Sequence, residues 1–243
     1  MKRNTKGVVR RFAVLNLAAA LALMFATTSA TAATIFESGT LGPTGIPRGV
    51  VPGANVSSDV FNGVRFELAT PVITTQVGGH FVGSVGTTDT LFGAIVKLAD
   101  ENDYPDSADL STPDVLGSTK LTFPEPSAEV FGDLSLSLDP GWYALVFGSG
   151  LFGASGNGAM PLNNPDIGNP TYIGFQSGTG WFNLSTLSDA FEFEDYRFVV
   201  KGTAIPEPAT VAIALMAFFS YLFYWLSYRR KLATAEDDVF SFD

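Results

Sequence analysis

The chain has 243 residues, 24 acidic against 14 basic, a net charge of −10, a single histidine and no cysteine. The absent thiols exclude disulfides, cysteine-ligated metals and thiol catalysis, and one imidazole excludes a metal site or mechanism built on two histidines. An acidic balance of this size argues against nucleic acid and against anionic membrane surfaces, both of which need clustered cations.

At the N-terminus, Lys2, Arg3, Lys6, Arg10 and Arg11 precede an apolar stretch from Ala13 to Phe25. That stretch is too short for a comfortable membrane span and is interrupted by Asn16. Small residues follow from Thr27 to Ala33, with Ala30 and Ala32 in an A-x-A arrangement. A basic segment, a short apolar segment and small residues in this order make residues 1–32 a secretory signal peptide, cleaved after Ala32. The mature chain is therefore expected to be exported.

Residues 33–204 hold 172 residues, enough for one domain with its own core. They contain 19 Asp and Glu against 6 Lys and Arg, a net of −13. Val64, Phe66 and Leu68 alternate with Arg65 and Glu67; Leu134, Leu136 and Leu138 alternate with Ser135 and Ser137; Tyr196, Phe198 and Val200 follow the same period. A period of two predicts half-buried strands. Leu91–Leu98 and Trp142–Phe147 are continuously apolar, as central strands would be. Asn62-Gly63, Gly78-Gly79, Asp139-Pro140-Gly141, Asn157-Gly158 and Asn169-Pro170 read as turns. About nine short strands result, with no helical stripe before Val211. The expected fold is mainly β: a single antiparallel, jelly-roll-like β-sandwich.

The segments Phe92–Leu98, Thr112–Thr119 and Leu136–Phe147 resemble the choice-of-anchor exported modules. These are β-sandwich domains carried in front of interchangeable C-terminal surface anchors. The resemblance implies a surface module and transfers no catalytic residue.

Few side chains suggest chemistry. Gly148-Ser149-Gly150-Leu151-Phe152-Gly153 matches G-x-G-x-x-G, but Gly156, Gly158 and Pro161 follow where a dinucleotide fold needs a helix, so a glycine-rich β-connection is expected. The loop containing Asp100, Asn102, Asp103, Asp106 and Asp109 offers oxygen ligands that could suit Ca²⁺, although without the spacing of an EF-hand. No other cofactor is expected. A serine triad would have to use His80, and no G-x-S-x-G is present. His80 reads as a strand residue, and no catalytic residue is assigned. Trp142 is expected in the core, whereas Trp181, after Gly178-Thr179-Gly180, is the candidate for stacking on a sugar ring; Tyr104 and Tyr172 are weaker candidates.

The C-terminal part decides where the chain goes. Ala209 to Ser227 is a run of nineteen uncharged, mostly apolar residues without Gly or Pro. As a helix it would extend roughly 29 Å, the thickness of a hydrocarbon core, and helix is the state that satisfies its backbone there. A transmembrane helix is thus predicted over about 209–228, with Pro206 and Pro208 stiffening a spacer from Ile205 to Pro208. Tyr221, Tyr224, Trp225 and Tyr228 gather at its far end, and Arg229, Arg230 and Lys231 hold that end in the cytoplasm, followed by an acidic tail over 232–243. Pro206-Glu207-Pro208, one hydrophobic span and a basic cluster resemble the PEP-CTERM sorting signal, here covering 205–231. That resemblance implies a bacterial host and processing by an exosortase, a membrane cysteine enzyme, near the Pro-Glu-Pro. The sequence therefore reads as a non-enzymatic exported protein with a structural or adhesive role. It is held at the inner membrane by one span and then passed to the cell surface or extracellular matrix, where polysaccharide is a candidate partner. A carbohydrate-binding module is the alternative, and a secreted hydrolase fits the residue inventory least.

Overall fold

The computed structural model describes residues 32–50, 52–184, 195–205 and 208–238, with helical side chains from 214 to 229. Ala30 and most of the expected signal peptide lie outside them. Among the described residues, thirteen strands run β1 (Ala33–Glu37), β2 (Gly53–Val56), β3 (Val60–Leu68), β4 (Val72–Phe81), β5 (Thr90–Lys97), β6 (Val115–Thr122), β7 (Ala128–Asp133), β8 (Ser137–Leu138), β9 (Gly141–Gly148), β10 (Gly158–Pro161), β11 (Thr171–Gln176), β12 (Gly180–Asn183) and β13 (Phe198–Ala204). Helix α1 spans Pro208–Asp238.

All pairings between these strands are antiparallel. One sheet has the order β1-β13-β4-β7, with β8 also pairing with β4. The other runs β12-β11-β3-β9-β5-β6, and β10 pairs with β2 as a separate ribbon. The two large sheets share one apolar core. Val72, Val77, Phe81, Phe198 and Val200 from the first meet Val64, Phe66, Leu91, Leu145 and Phe147 from the second. Aromatic pairs cross the layer: Phe147 meets Phe81 edge-on at 4.8 Å and stacks on Phe198 at 5.4 Å, and Phe36 stacks on Phe66 at 4.9 Å. Each such pair adds about 0.5–1.5 kcal/mol beyond the area it buries.

The continuous apolar runs form inner strands of their sheet, as expected, and a second covered face adds to the cause. Strands β5 and β9 are central, but the outer face of their sheet is covered too. Phe92, Ala94, Val96, Ala144, Val146 and Ile173 form a second cluster there, with Leu110 and Ala154 contributed by loops. Buried on both faces, these strands have no polar side to alternate. The alternating strand β3 behaves as predicted on its inner face, where Val64, Phe66 and Leu68 are buried. Arg65, expected toward water, is also buried.

Two predicted turns are strand interiors. Asn62-Gly63 lies within β3 and Gly78-Gly79 within β4. In the middle of a sheet, glycine serves close approach of neighbours. A Cβ on Gly78 would meet the Val130 carbonyl of β7, and one on Gly79 the Arg197 carbonyl beside β13. The predicted strand Leu134–Leu138 survives only as β8. Thr74 explains the interruption: its Oγ1 donates to the Leu134 carbonyl at 2.7 Å and accepts from Leu136 N at 3.0 Å, replacing regular ladder bonds.

Since backbone flanks Gly78 on the side a Cβ would occupy, Gly78→Ala is expected to destabilise the fold by about 1–3 kcal/mol. Chemical denaturation of the wild type and the variant would measure this.

Candidate functional site

The acidic loop between β5 and β6 forms a clasp over the outer face of the sheet. Arg65, rising from β3, donates from Nε to the Asp103 carbonyl at 2.8 Å and from Nη2 to the Asn102 carbonyl at 3.1 Å. Its guanidinium lies 4.4 Å from the centre of the Tyr104 ring. Farther along, Trp181 Nε1 donates to the Ser107 carbonyl at 3.1 Å. Leu110 then inserts its side chain into the outer cluster, in a left-handed backbone conformation with φ of 50°. That conformation is unfavourable for leucine and is held by the side chain's burial.

Three of the candidate calcium ligands, Asp100, Asp103 and Asp109, accept bonds inside this loop. Asp100 accepts from Asn102 N and Asp103 from Ala99 N, both at 2.7 Å; Asp109 accepts from the N–H and hydroxyl of Ser111; Asp106 donates its N–H to Asp114. The hydroxyls of Ser111 and Ser107 hold the Asp109 carboxyl below its ordinary value. Among the described residues, no three acidic or imidazole groups gather as a set able to hold a metal ion.

The candidate stacking residues are also engaged in packing. Trp181 is half-buried, 5.3 Å from the Phe175 ring and 6.3 Å from that of Phe61. Tyr172 is buried, donating to Asp166 and to the Tyr196 carbonyl. Trp142 is half-buried against the outer cluster and so is not a residue of the central core. The segment Gly148–Gly153 closes a turn, with Gly150 N bonded to the Ala154 carbonyl at 3.0 Å, and no helix follows.

His80 is a fully buried residue of β4. Its Nδ1 is 2.8 Å from Asn164 Oδ1. Asn164 Nδ2 donates to the carbonyls of Pro161 and Asp195, so its Oδ1 faces the ring and His80 Nδ1 carries the proton. Nε2 is left buried without a partner. Close by, Arg197 donates to Glu129 at 2.6 Å, to Glu37 at 2.9 Å and to the Gly39 carbonyl, joining β1, β7 and the start of β13. Burial holds the His80 pKa below its usual 6.5, with Arg197 opposing its charge and Asn164 and Glu129 favouring it. This arrangement ties strands together and leaves no open face for proton transfer. Arg65, Arg197 and Asn164 had escaped the sequence reading: two are charges in alternating strands, normally solvent positions, and the third is a loop amide. The only hint was the scarcity of cations, six in the whole domain.

The C-terminal helix is longer than predicted. It opens at Pro208, where the missing N–H costs no helical bond, and continues through the basic cluster to Asp238. Residues 230–236 include Arg230, Lys231, Leu232, Ala233 and Glu236, good helix formers, which carries the helix into the predicted tail. Pro206 and Glu207 lie outside the described residues, as do the side chains of Pro208, Arg230 and Lys231. From 214 to 229, Leu215, Met216, Phe219, Tyr221, Phe223, Tyr224, Leu226 and Tyr228 are all exposed. Ser220 and Ser227 return their hydroxyls to the carbonyls four residues back, at 2.7 and 2.8 Å, and Arg229 stacks on Trp225 at 4.5 Å. Among the described residues, whose helical side chains cover only 214–229, no helix is long and apolar enough to cross a membrane.

No family model matches this chain, and no curated protein is significantly similar to it.

Three outcomes follow from this geometry. Leu110→Ala should cost about 2–4 kcal/mol and expose the clasp to limited proteolysis. With Asp100, Asp103 and Asp109 already accepting bonds within the loop and no metal-holding group among the described residues, EDTA and added Ca²⁺ should each leave the melting temperature unchanged. A histidine whose folded pKa is depressed contributes stability above its unfolded pKa, and that stability is lost as pH falls below about 6.5. The melting temperature should therefore drop between about pH 7 and 5.5, and His80→Gln should flatten that slope.

Proposed function

We propose that this chain is an exported surface protein: a jelly-roll β-sandwich with a structural or adhesive role, delivered to the inner membrane and held there by α1. The observation carrying this reading is that α1 exposes large apolar side chains over most of its circumference, and the remaining stripe, Phe218, Leu222 and Trp225, is apolar too. A helix apolar all round belongs in a protein core or in lipid. The uncharged run from Ala209 to Ser227 has the length of a bilayer's core, the serine hydroxyls are satisfied within the helix, and a basic cluster closes the run.

The cargo fits the same reading. Strands β1, β13, β4 and β7 in one sheet and β3, β9, β5 and β6 in the other reproduce the interleaved order of two Greek keys. Strand β1 begins at Ala33, one residue beyond the expected cleavage after Ala32, so removing the signal peptide leaves the strand whole. Its first residue pairs with Gly202, close in sequence to the Pro206-Glu207-Pro208 motif. Both ends of the mature domain thus meet at the anchor end. An exosortase-type enzyme is the partner that would cleave near that motif and release the domain to the cell surface or matrix.

Mass spectrometry of the mature protein from its native host tests this reading. The expected result is an N-terminus at Ala33 and a C-terminus near Pro206–Pro208. Recovery of a chain intact through Asp243 would reduce the C-terminal segment to a simple anchor.

A further inference from the structure

A cleft of about 300 Å³ opens beside the β2–β10 ribbon, where Val82 follows β4. It lies at the end of β4 away from Val72, which pairs with Ala204, the last residue of β13 before α1. Its volume suits one sugar unit, at the lower end of the roughly 300–1,000 Å³ typical of small-molecule sites. The bridged, buried Val82 and Ala159 give it an apolar base, and Arg48 and Asn55 bring polar groups to its lining. Val51, outside the described residues, adds no charge beside them.

Arg48 is fixed in place by neutral groups. Its Nη1 donates to Ser84 Oγ at 2.7 Å and to the Asn157 carbonyl at 3.1 Å. Its Nη2 donates to Asn157 Oδ1 at 2.6 Å, and otherwise makes only long contacts, 3.5 Å each, to Asn55 Oδ1 and the Gly158 carbonyl. Nε makes no bond among the described residues and is open to solvent. Asn55 and Asn157 are both exposed, and with Oδ1 turned to the guanidinium their Nδ2 donors face away from it.

The charge is the anomaly. Of the six cations in residues 33–204, Arg197 has two carboxylates, while Arg65, Lys97 and Lys201 lie over aromatic rings. Among the described residues Arg48 has no ion-pair partner; Asp89 is near, but accepts from Asn157 N at 3.2 Å. An open Nε beside a loosely held Nη2 is the planar fork that carboxylates take bidentately. We infer that the cleft binds the carboxylate of a uronic acid unit in an acidic polysaccharide, on Arg48 Nε and Nη2. The amides of Asn55 and Asn157 then donate to the sugar's hydroxyl oxygens, and Val82 and Ala159 meet its C–H face. An acidic peptide carries the same carboxylate without those ring hydroxyls. The domain's net charge of −13 opposes anions in general, so recognition comes from this local fork. The inference rests on the reading of the chain as a surface protein, which supplies a polysaccharide to meet.

Linear trigalacturonate is the probe, and its fully methyl-esterified form the neutral control. Each is titrated into the full-length chain in detergent micelles and followed by calorimetry. Trigalacturonate should bind saturably, and the ester at least about tenfold more weakly, the loss expected for a charge-assisted contact. Asn157→Asp gives Arg48 a carboxylate where it now meets an amide oxygen, so this variant should lose binding without melting lower. Where it does melt lower, Asn55→Asp takes its place under the same criterion. The inference is overturned if trigalacturonate shows no saturable binding, or if the deciding aspartate variant binds like the wild type. It is also overturned if the ester binds as well, which marks a neutral sugar site, or if triglutamate does, which marks a peptide site. Binding by the purified chain does not depend on cleavage near Pro206–Pro208, so a failed titration and an intact C-terminus in the native host are separate outcomes.

Discussion

The constraint on which the structure turns is that the six-stranded sheet is apolar on both faces. Its inner face is covered by the partner sheet, as in any two-layer β fold. The outer face, with Phe92, Val96, Val146 and Ile173, would be an exposed patch if the loops did not lie over it. The acidic segment between β5 and β6 is therefore drawn onto the sheet, and its acidic side chains become incidental to that task. Arg65 and Trp181 hold the loop by its carbonyls, and Leu110 accepts an unfavourable backbone conformation to reach the apolar surface. In a chain without disulfides, covering the second face adds stability that one core alone would have to supply.

Polar groups work at the opposite side of the fold, and they are few. Arg197 gathers Glu37, Glu129 and the Gly39 carbonyl, while Ser38 donates to the Tyr196 carbonyl and accepts from Phe198 N. His80 and Asn164 complete the array. Arg197 is nearly buried while Glu37 and Glu129 are partly exposed, so removing both carboxylates would leave its charge uncompensated, and the set favours the meeting of these strand ends. Here it fastens the end of β1 to the start of β13, the last strand before α1.

Much of this could be read from residue order, and the failures are instructive. Val64, Phe66, Leu68, Phe198 and Val200 were legible as core because alternation maps directly onto the two faces of a strand. Gly63 and Gly78-Gly79 were misread because glycine marks both turns and close strand approach, and the neighbour that distinguishes them is distant in sequence. Asp100, Asp103 and Asp109 offered possible oxygen ligands in a solvated loop, and the N–H groups they accept from are assigned only by the fold. Tyr196 appeared to be a core residue like Phe198, two positions on, yet only its surroundings leave one hydroxyl without a partner.

By itself, the order of residues determined the β character of the domain, its freedom from thiol chemistry and the separation of an apolar C-terminal helix from an acidic β domain. These depend on composition and local periodicity, which need no knowledge of distant neighbours. Tertiary structure alone decided that the apolar runs are covered on both faces, that the acidic loop is a clasp, and that His80 is a buried tie. Each of these depends on groups far apart in the chain meeting at hydrogen-bonding or van der Waals distance, and that information is absent from any single segment.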